Sequence, residues 1–174
     1  MPETHQRARF EQAVLPHLDA TYNLARWLTR NDHDAEDVVQ EAYLRAYQYF
    51  GGFHGADGRT WLLAIVRNTC YTWLERNRPR EPTTPFDEER HGAVSAAGPE
   101  VPLLRGEERE LLLRALERLP PEFREVLVLR ELEGLSYKEI AGVTGAPLGT
   151  VMSRLARARE RLQQDLTRHL DEEP

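Results

Sequence analysis

Several groups of side chains in this sequence have types and spacings that could do chemistry. Thr150, Ser153 and Arg157 recur at helical spacing, with Arg154 and Arg161 flanking them. Hydroxyls and guanidiniums on one side of a short helix suit the phosphates and base edges of a major groove. The plain alternative is a solvated basic face. Phe53 and His54, followed by Arg67, Asn68 and Tyr71, mix aromatics with donors. Such a set could hold single-stranded DNA, because aromatics stack on bases and basic groups track phosphates. Equally, the aromatics could be peripheral packing. Asp37, Gln40, Glu41, Leu44 and Gln48 put a leucine in the middle of an acidic face. An acidic rim around an apolar centre suits a protein partner with basic residues. The competing reading is a solvated face with one stray leucine. His33, Asp34, Asp37 and Glu41 include metal-ligating types. No second histidine follows at the helical spacing, and acidic helix starts are common, so no metal is assigned.

The elements that must position these groups are helices. Residues 135–162, LSYKEIAGVTGAPLGTVMSRLARARERL, read as two short helices joined by a sharp turn. Ser136 and Glu139 make a capping box for the first. Gly145 stops it, and Pro147 can open the second. There Val151, Leu155, Ala158 and Leu162 form one buried stripe, which sends Thr150, Ser153 and Arg157 to the far side. The pair is a helix-turn-helix.

Upstream, residues 8–30 read as helical with a break at Pro16, and Phe10, Val14, Leu18, Tyr22, Ala25 and Leu28 supply a core stripe. Over residues 31–50, Asp32 or Asp34 can cap a helix whose Val38, Val39, Ala42, Ala46 and Phe50 face inward. GGFHGADG at 51–58 is a glycine-rich loop that would present Phe53 and His54. In the helix over 59–76, Leu62, Ile65, Val66, Thr69 and Trp73 face the core, while Ala64, Arg67, Asn68 and Tyr71 face outward. Apolar periodicity then vanishes, and Pro79, Pro82, Pro85, Pro99 and Pro102 mark a flexible linker. A further helix over 107–118 points Leu111, Leu112, Ala115, Leu116 and Leu119 inward. Another starts at Pro120–Pro121, packs Phe123, Val126, Leu127 and Leu129, and ends before Gly134. No strand signal occurs. The expected fold is all-α, with two small helical domains at 8–78 and 107–170 joined by a flexible linker at 79–106. The second is a four-helix domain that contains the helix-turn-helix.

The 174 residues are 30% charged and 40% apolar, which suits a soluble helical protein. No apolar run approaches the roughly 20 residues of a membrane span, and the opening MPETHQRARFEQ lacks a signal-peptide core. Cys70 is the only cysteine, which excludes an internal disulfide and a four-cysteine zinc site and fits a reducing cytoplasm. A net charge of −6 argues at first against a nucleic-acid partner. Its distribution does not. Arg59, Arg67, Arg76, Arg78 and Arg80 form one basic stretch, and Arg154, Arg157, Arg159 and Arg161 a second. Local patches set phosphate attraction within a Debye length of about 10 Å. No Gly-rich phosphate loop or nucleophile motif supports an enzyme, and no cofactor is implied.

Taken together, the motifs resemble a bacterial RNA polymerase sigma factor of the extracytoplasmic-function (ECF) subfamily. DAEDVVQEAYLRAY at 34–47 resembles the family's helix that binds the polymerase clamp. RTWLLAIVRNTCYTWLER at 59–76 resembles its promoter-melting, minus-ten-reading helix. Residues 119–162 resemble its minus-thirty-five-reading domain. The resemblance implies that Asp37, Gln40, Glu41, Leu44 and Gln48 contact core polymerase. Phe53, His54, Arg67, Asn68 and Tyr71 would hold the separated minus-ten strand, with a flipped base captured near residues 50–58. Thr150, Ser153, Arg154, Arg157 and Arg161 would meet the minus-thirty-five duplex, with Ser153 and Arg154 near bases and Arg157 and Arg161 on the backbone. An anti-sigma factor is a further implied partner, and membrane insertion is not implied. Met152 stands where many members carry lysine, which removes one possible phosphate contact. The alternative is a stand-alone helix-turn-helix regulator, which would leave the first domain unexplained.

Overall fold

The computed structural model describes residues 2–55, 57–77 and 106–172. Among these the secondary structure is helical throughout, with no strand, and the fold is all-α. The helices fall into two compact units, the first built on the opening four helices and the second on the rest, save that Gly142–Gly145 groups with the first. The linker assigned to 79–106, with Arg78 and Arg80 of the first basic stretch, lies outside the described residues apart from Gly106.

In the first unit, α1 (Pro2–Val14) runs through a single 3-10 turn at Leu15–His17 into α2 (Leu18–Thr29). Pro16 lacks the N–H that would continue the α-helical ladder, so the break falls at that proline. The turn resets the phase of the helix that follows. Leu18, expected in the core, is 39% exposed, while Leu24, Ala25, Trp27 and Leu28 are buried. Arg30 ends α2 in a left-handed conformation, φ 61°.

The third helix, α3 (Asp32–Tyr49), is capped by neither Asp32 nor Asp34. Asn31 is the cap, its side-chain oxygen accepting a hydrogen bond from the Asp34 N–H at 3.0 Å. That frees Asp32 to take the nearly buried Arg26 guanidinium at 2.6 Å, tying the start of α3 to α2. Val38, Ala42, Ala46 and Phe50 are buried as expected, and Val39 is half-buried.

The fourth helix, α4 (Gly58–Arg76), packs against α1, α2 and α3. A helix with three neighbours buries a wide arc rather than a narrow stripe. Leu63 and Cys70 are therefore fully buried beside Leu62, Val66 and Thr69, whereas Ile65 and Trp73 are only half-buried.

In the second unit, α5 (Glu107–Arg118) carries three consecutive leucines whose phase the sequence leaves open. Packing against the last helix selects Leu113, Ala115 and Leu116 as buried, and leaves Leu111 and Leu112 half-buried. The next helix, α6 (Pro121–Leu127), widens into a π turn at Val128–Leu132 that closes through the Glu133 N–H to the Val128 carbonyl at 3.1 Å. Gly134, at φ +68°, then reverses the chain. Glu117, Arg124 and Glu125 are buried here, with an Arg124 Nη1 hydrogen bond to the Glu117 carbonyl at 3.3 Å.

The helix-turn-helix follows as α7 (Tyr137–Thr144) and α8 (Leu148–Glu172). The second member is not short: it spans 25 residues. No glycine or proline interrupts the sequence from Thr150 through Glu173, so nothing local stops the helix after Leu162. Arg118 clasps Asp165 through Nε and Nη2 at 2.9 and 2.7 Å, which holds the extension against α5.

Candidate nucleic-acid and protein interfaces

On α3, burying Val38, Ala42 and Ala46 turns Asp37, Gln40, Leu44 and Gln48 toward solvent. Leu44 is 67% exposed and Tyr47, one turn on, is 40% exposed. Glu41 is half-buried and accepts a hydrogen bond from Arg45 at 2.8 Å, so the acidic rim is partly neutralised on that side. His33 lies 3.8 Å from Asp37, both highly exposed. Among the described residues no three metal-ligating side chains converge. The surface offers an apolar centre with carboxylates and amides around it.

The loop after α3 differs from expectation in its aromatics. A 3-10 turn at Phe50–Gly52 folds the chain so that Phe53 stacks on Phe50 at 5.8 Å and tilts against Trp61 at 4.8 Å. Phe53 is half-buried, whereas His54 is exposed. Asp57 caps α4 by accepting from the Thr60 N–H at 3.1 Å, and the Thr60 hydroxyl hydrogen bond holds its carboxyl below the usual aspartate range. Farther along α4, the Arg67 guanidinium lies 3.9 Å from the Tyr71 ring centre, covering one face. Tyr71 is half-buried and its hydroxyl is buried, so it does not stand out from the helix as expected. The reason is its spacing of one turn from Arg67, which lays the ring along the helix surface. Asn68 is exposed and accepts from Arg67 at 3.4 Å.

The capping box forms in both directions in the second unit. The Ser136 N–H donates to Glu139 Oε1 at 2.9 Å, and the Glu139 N–H donates to Ser136 Oγ at 3.1 Å. Arg130 secures this start by donating to the Leu135 carbonyl at 2.8 Å and lying over the Tyr137 ring at 4.8 Å. Gly145 takes φ +72°, which lets the chain turn tightly between the helices. On α8, Val151, Leu155 and Ala158 are buried and Leu162 is half-buried. Ser153, Arg157 and Arg161 are exposed, and Thr150 and Arg154 half-buried, so all five expected residues lie off the core stripe.

Two partners of this helix were not foreseen. Arg161 lies over the Phe123 ring at 5.6 Å. Arg159 donates to Glu131 at 2.8 Å, and that hydrogen bond raises its pKa above the ordinary arginine value. Arg159 thus anchors α8 rather than adding to its donor face. Leu148 and Met152, 49% and 51% exposed, put an apolar edge on the first turns.

Comparison with known proteins places these surfaces in context. The sigma-70 region 2 family matches residues 13–80, and the sigma-70 region 4 family matches residues 109–162. The ECF RNA polymerase sigma factor SigE of Mycolicibacterium smegmatis is 37% identical over 166 residues, which cover 94% of this chain and 63% of that protein. The ECF RNA polymerase sigma-E factor of Escherichia coli K12 is 41% identical over 135 residues, covering 73% of this chain and 71% of the relative. Among solved structures, the sigma factor RpoE of Bartonella quintana, in complex with the anti-sigma factor NepR, superposes with a TM-score of 0.70. It is 28% identical, over 91% of this chain and 97% of that one. CnrH, in complex with the cytosolic domain of CnrY, gives 0.63 at 27% identity, over 97% of this chain and 91% of that one.

Proposed function

This chain belongs to the ECF RNA polymerase sigma factors, and from that premise we propose that it loads core RNA polymerase onto specific promoters. In this reading residues 8–78 bind polymerase and open the minus-ten element, residues 107–170 read the minus-thirty-five duplex, and 79–106 is the linker. The observation that carries it is that the sigma-70 region 2 match falls in the first helical unit and the region 4 match almost wholly in the second, each with a differently built exposed face. The α3 face of Asp37, Gln40, Glu41, Leu44 and Gln48 is the polymerase contact. His54, Asn68 and Arg67 are the accessible parts of the minus-ten surface. Phe53 and Tyr71, both half-buried, contribute only the parts of their rings that Phe50 and Trp61, and Arg67, leave uncovered. Thr150, Ser153, Arg154, Arg157 and Arg161 make the duplex contact.

Its role is that of a non-catalytic subunit acting in the cytoplasm. No described helix is long and apolar enough to cross a membrane. An anti-sigma factor is a further partner, by likeness to RpoE with NepR and CnrH with CnrY. A stand-alone regulator would need only the second unit.

The test is run-off transcription by core polymerase with this chain, on single-base promoter variants at two salt concentrations. Arg154→Ala is expected to relax preference within the minus-thirty-five element by about 1–3 kcal/mol at the base it reads. Arg161→Ala should weaken all sequences alike and lower the salt slope by about one unit. Its loss from the Phe123 ring costs stability of about 0.5–1 kcal/mol, so thermal unfolding is measured alongside. Identical specificity profiles for wild type and Arg154→Ala would reject base reading by that residue. Absence of promoter-dependent transcripts from the wild type would reject the function.

A further inference from the structure

The first helix, α1, lies almost entirely ahead of the segment matched by sigma-70 region 2, which begins at residue 13. Its residues are mostly exposed, and as an amphipathic element it is poor. The exceptions are Phe10 and Ala13, which are half-buried, and Val14, which is buried; of these only Phe10 carries a ring. The Phe10 ring meets Phe50 edge-on at 5.4 Å and Tyr47 edge-on at 5.2 Å. Arg9 lies 5.8 Å from the centre of the same Phe50 ring. Phe50, 4% exposed, in turn stacks on Phe53 and meets Trp61 at 6.1 Å. The entry to the loop is thus braced from α1 through a continuous run of rings.

The exit of the loop touches α1 as well. Gly58 opens α4, and a Cβ built there would sit 2.8 Å from the Ala13 carbonyl oxygen. Only glycine allows α1 so close to the first turn of α4. One helix therefore grips both ends of the loop that the proposed function assigns to the opened minus-ten strand. A loop used to seat a flipped base gains from being held in place beforehand, because ordering it on binding would subtract from the stacking that offsets base extrusion.

We propose that α1 is a clamp for this loop, and that Phe10 and Gly58 are positioning residues for strand opening. The inference rests on the reading of the chain as a promoter-opening factor. Neither residue touches the DNA; each acts through Phe50, Phe53 and the start of α4. Losing the edge-on contacts of Phe10 leaves Phe50 and Phe53 free to shift, and the penalty appears when duplex DNA must be melted.

The experiment uses the full chain with core polymerase and a promoter selected by wild-type holoenzyme from a random library. Each variant is assayed on that promoter as a duplex and as a heteroduplex already open at the minus-ten element. Phe10→Ala is expected to give about three- to tenfold fewer open complexes on the duplex, from the loss of its aromatic pairs, and near wild-type levels on the pre-opened template. Phe10→Leu, which fills the space without a ring, should fold normally and show the same template-dependent defect in milder form. Gly58→Ala should share it, because the added methyl group pushes α1 away. Binding to core polymerase should be unchanged in all three. Normal opening by Phe10→Leu and Gly58→Ala, an equal loss on both templates, or weakened polymerase binding would overturn the clamp. If the wild type itself opens no promoter, the proposed function fails and the inference falls with it.

Discussion

Leu44→Asp tests the α3 face most directly. The leucine keeps 67% of its surface exposed. Full burial of a leucine is worth about 1.5–3 kcal/mol, so roughly 1–2 kcal/mol is available to a partner that covers it. An aspartate forfeits this and adds a carboxylate to be desolvated without a partner, at a further cost of about 1–3 kcal/mol. Together these weaken polymerase binding by roughly 2–5 kcal/mol, at least about 30-fold in Kd. Folding should hardly notice. Surface changes away from packed features stay within about 0.5 kcal/mol. The new carboxylate stands one turn from Glu41, a like-charge contact worth about 0.2–0.5 kcal/mol. Arg45 already engages Glu41 and reduces even that. Competition against labelled wild type for core polymerase gives the affinity, and thermal unfolding by circular dichroism gives the control. A Kd within threefold of wild type would refute the assignment of this face. Lost binding together with a collapsed helical signal would show that Leu44 is structural.

Two further outcomes concern carboxylates near helix starts. Asp32→Ala removes the carboxylate held 2.6 Å from Arg26, whose side chain is only 4% exposed, so urea unfolding should show a loss of about 1–3 kcal/mol. Adding Arg26→Met should recover part of that loss, since a buried charge without its partner costs more than an apolar replacement; a double variant weaker than Asp32→Ala refutes the pair. At the start of α4, Asp57 titrates below its unfolded pKa of about 3.9 because Thr60 donates to it. Its stabilising effect is therefore present above that unfolded value and is lost as pH falls through the lower folded value. The Thr60 amide shift, followed by NMR, should titrate with a midpoint below the usual aspartate range and become flat in Asp57→Asn; a midpoint at or above that range contradicts the cap.

How far the sequence could be read depended on the distance between interacting groups. Ser136 and Glu139 are three residues apart, and their capping box forms as expected. Val151, Leu155 and Ala158 have one helical phase open to them, and they are buried. Leu111, Leu112 and Leu113 have three possible phases, and only packing against α8 chooses among them. The Asp32 side chain could have capped α3, but a buried arginine six residues earlier in the chain claims it and leaves the cap to Asn31. Phe53 and Tyr71 were legible as aromatics near the right elements. Their partial burial was not, because it depends on Trp61 and Phe50 for one and on the Arg67 stack for the other. Arg118 and Asp165 are 47 residues apart, and no local pattern announces their pairing.

The arginines also bear on the choice between a polymerase subunit and a protein that finds its operator unaided. Duplex affinity scales with the number of phosphates neutralised, each contributing about one unit of salt slope. The second basic stretch contains four arginines, Arg154, Arg157, Arg159 and Arg161. One of them, Arg159, is held by Glu131, and Arg161 lies over Phe123. Arg118 is engaged by Asp165. Within that stretch, what remains for phosphates is chiefly Arg154 and Arg157, with Arg161 shared, and the exposed Arg168 stands farther along α8. At a net charge of −6, the chain as a whole adds no compensating attraction. So small a set of cations can discriminate among sequences, since a single bidentate arginine distinguishes bases by about 1–3 kcal/mol, but it supplies little affinity. In the proposed function a second tether provides that affinity. The exposed leucine and acidic rim of α3 have the make-up of a protein contact, and a tether there would raise the local concentration of α8 at its proposed site without any new DNA contact. Under the proposed function, the sparse basic face of α8 and the apolar centre of α3 make sense together, each supplying what the other lacks.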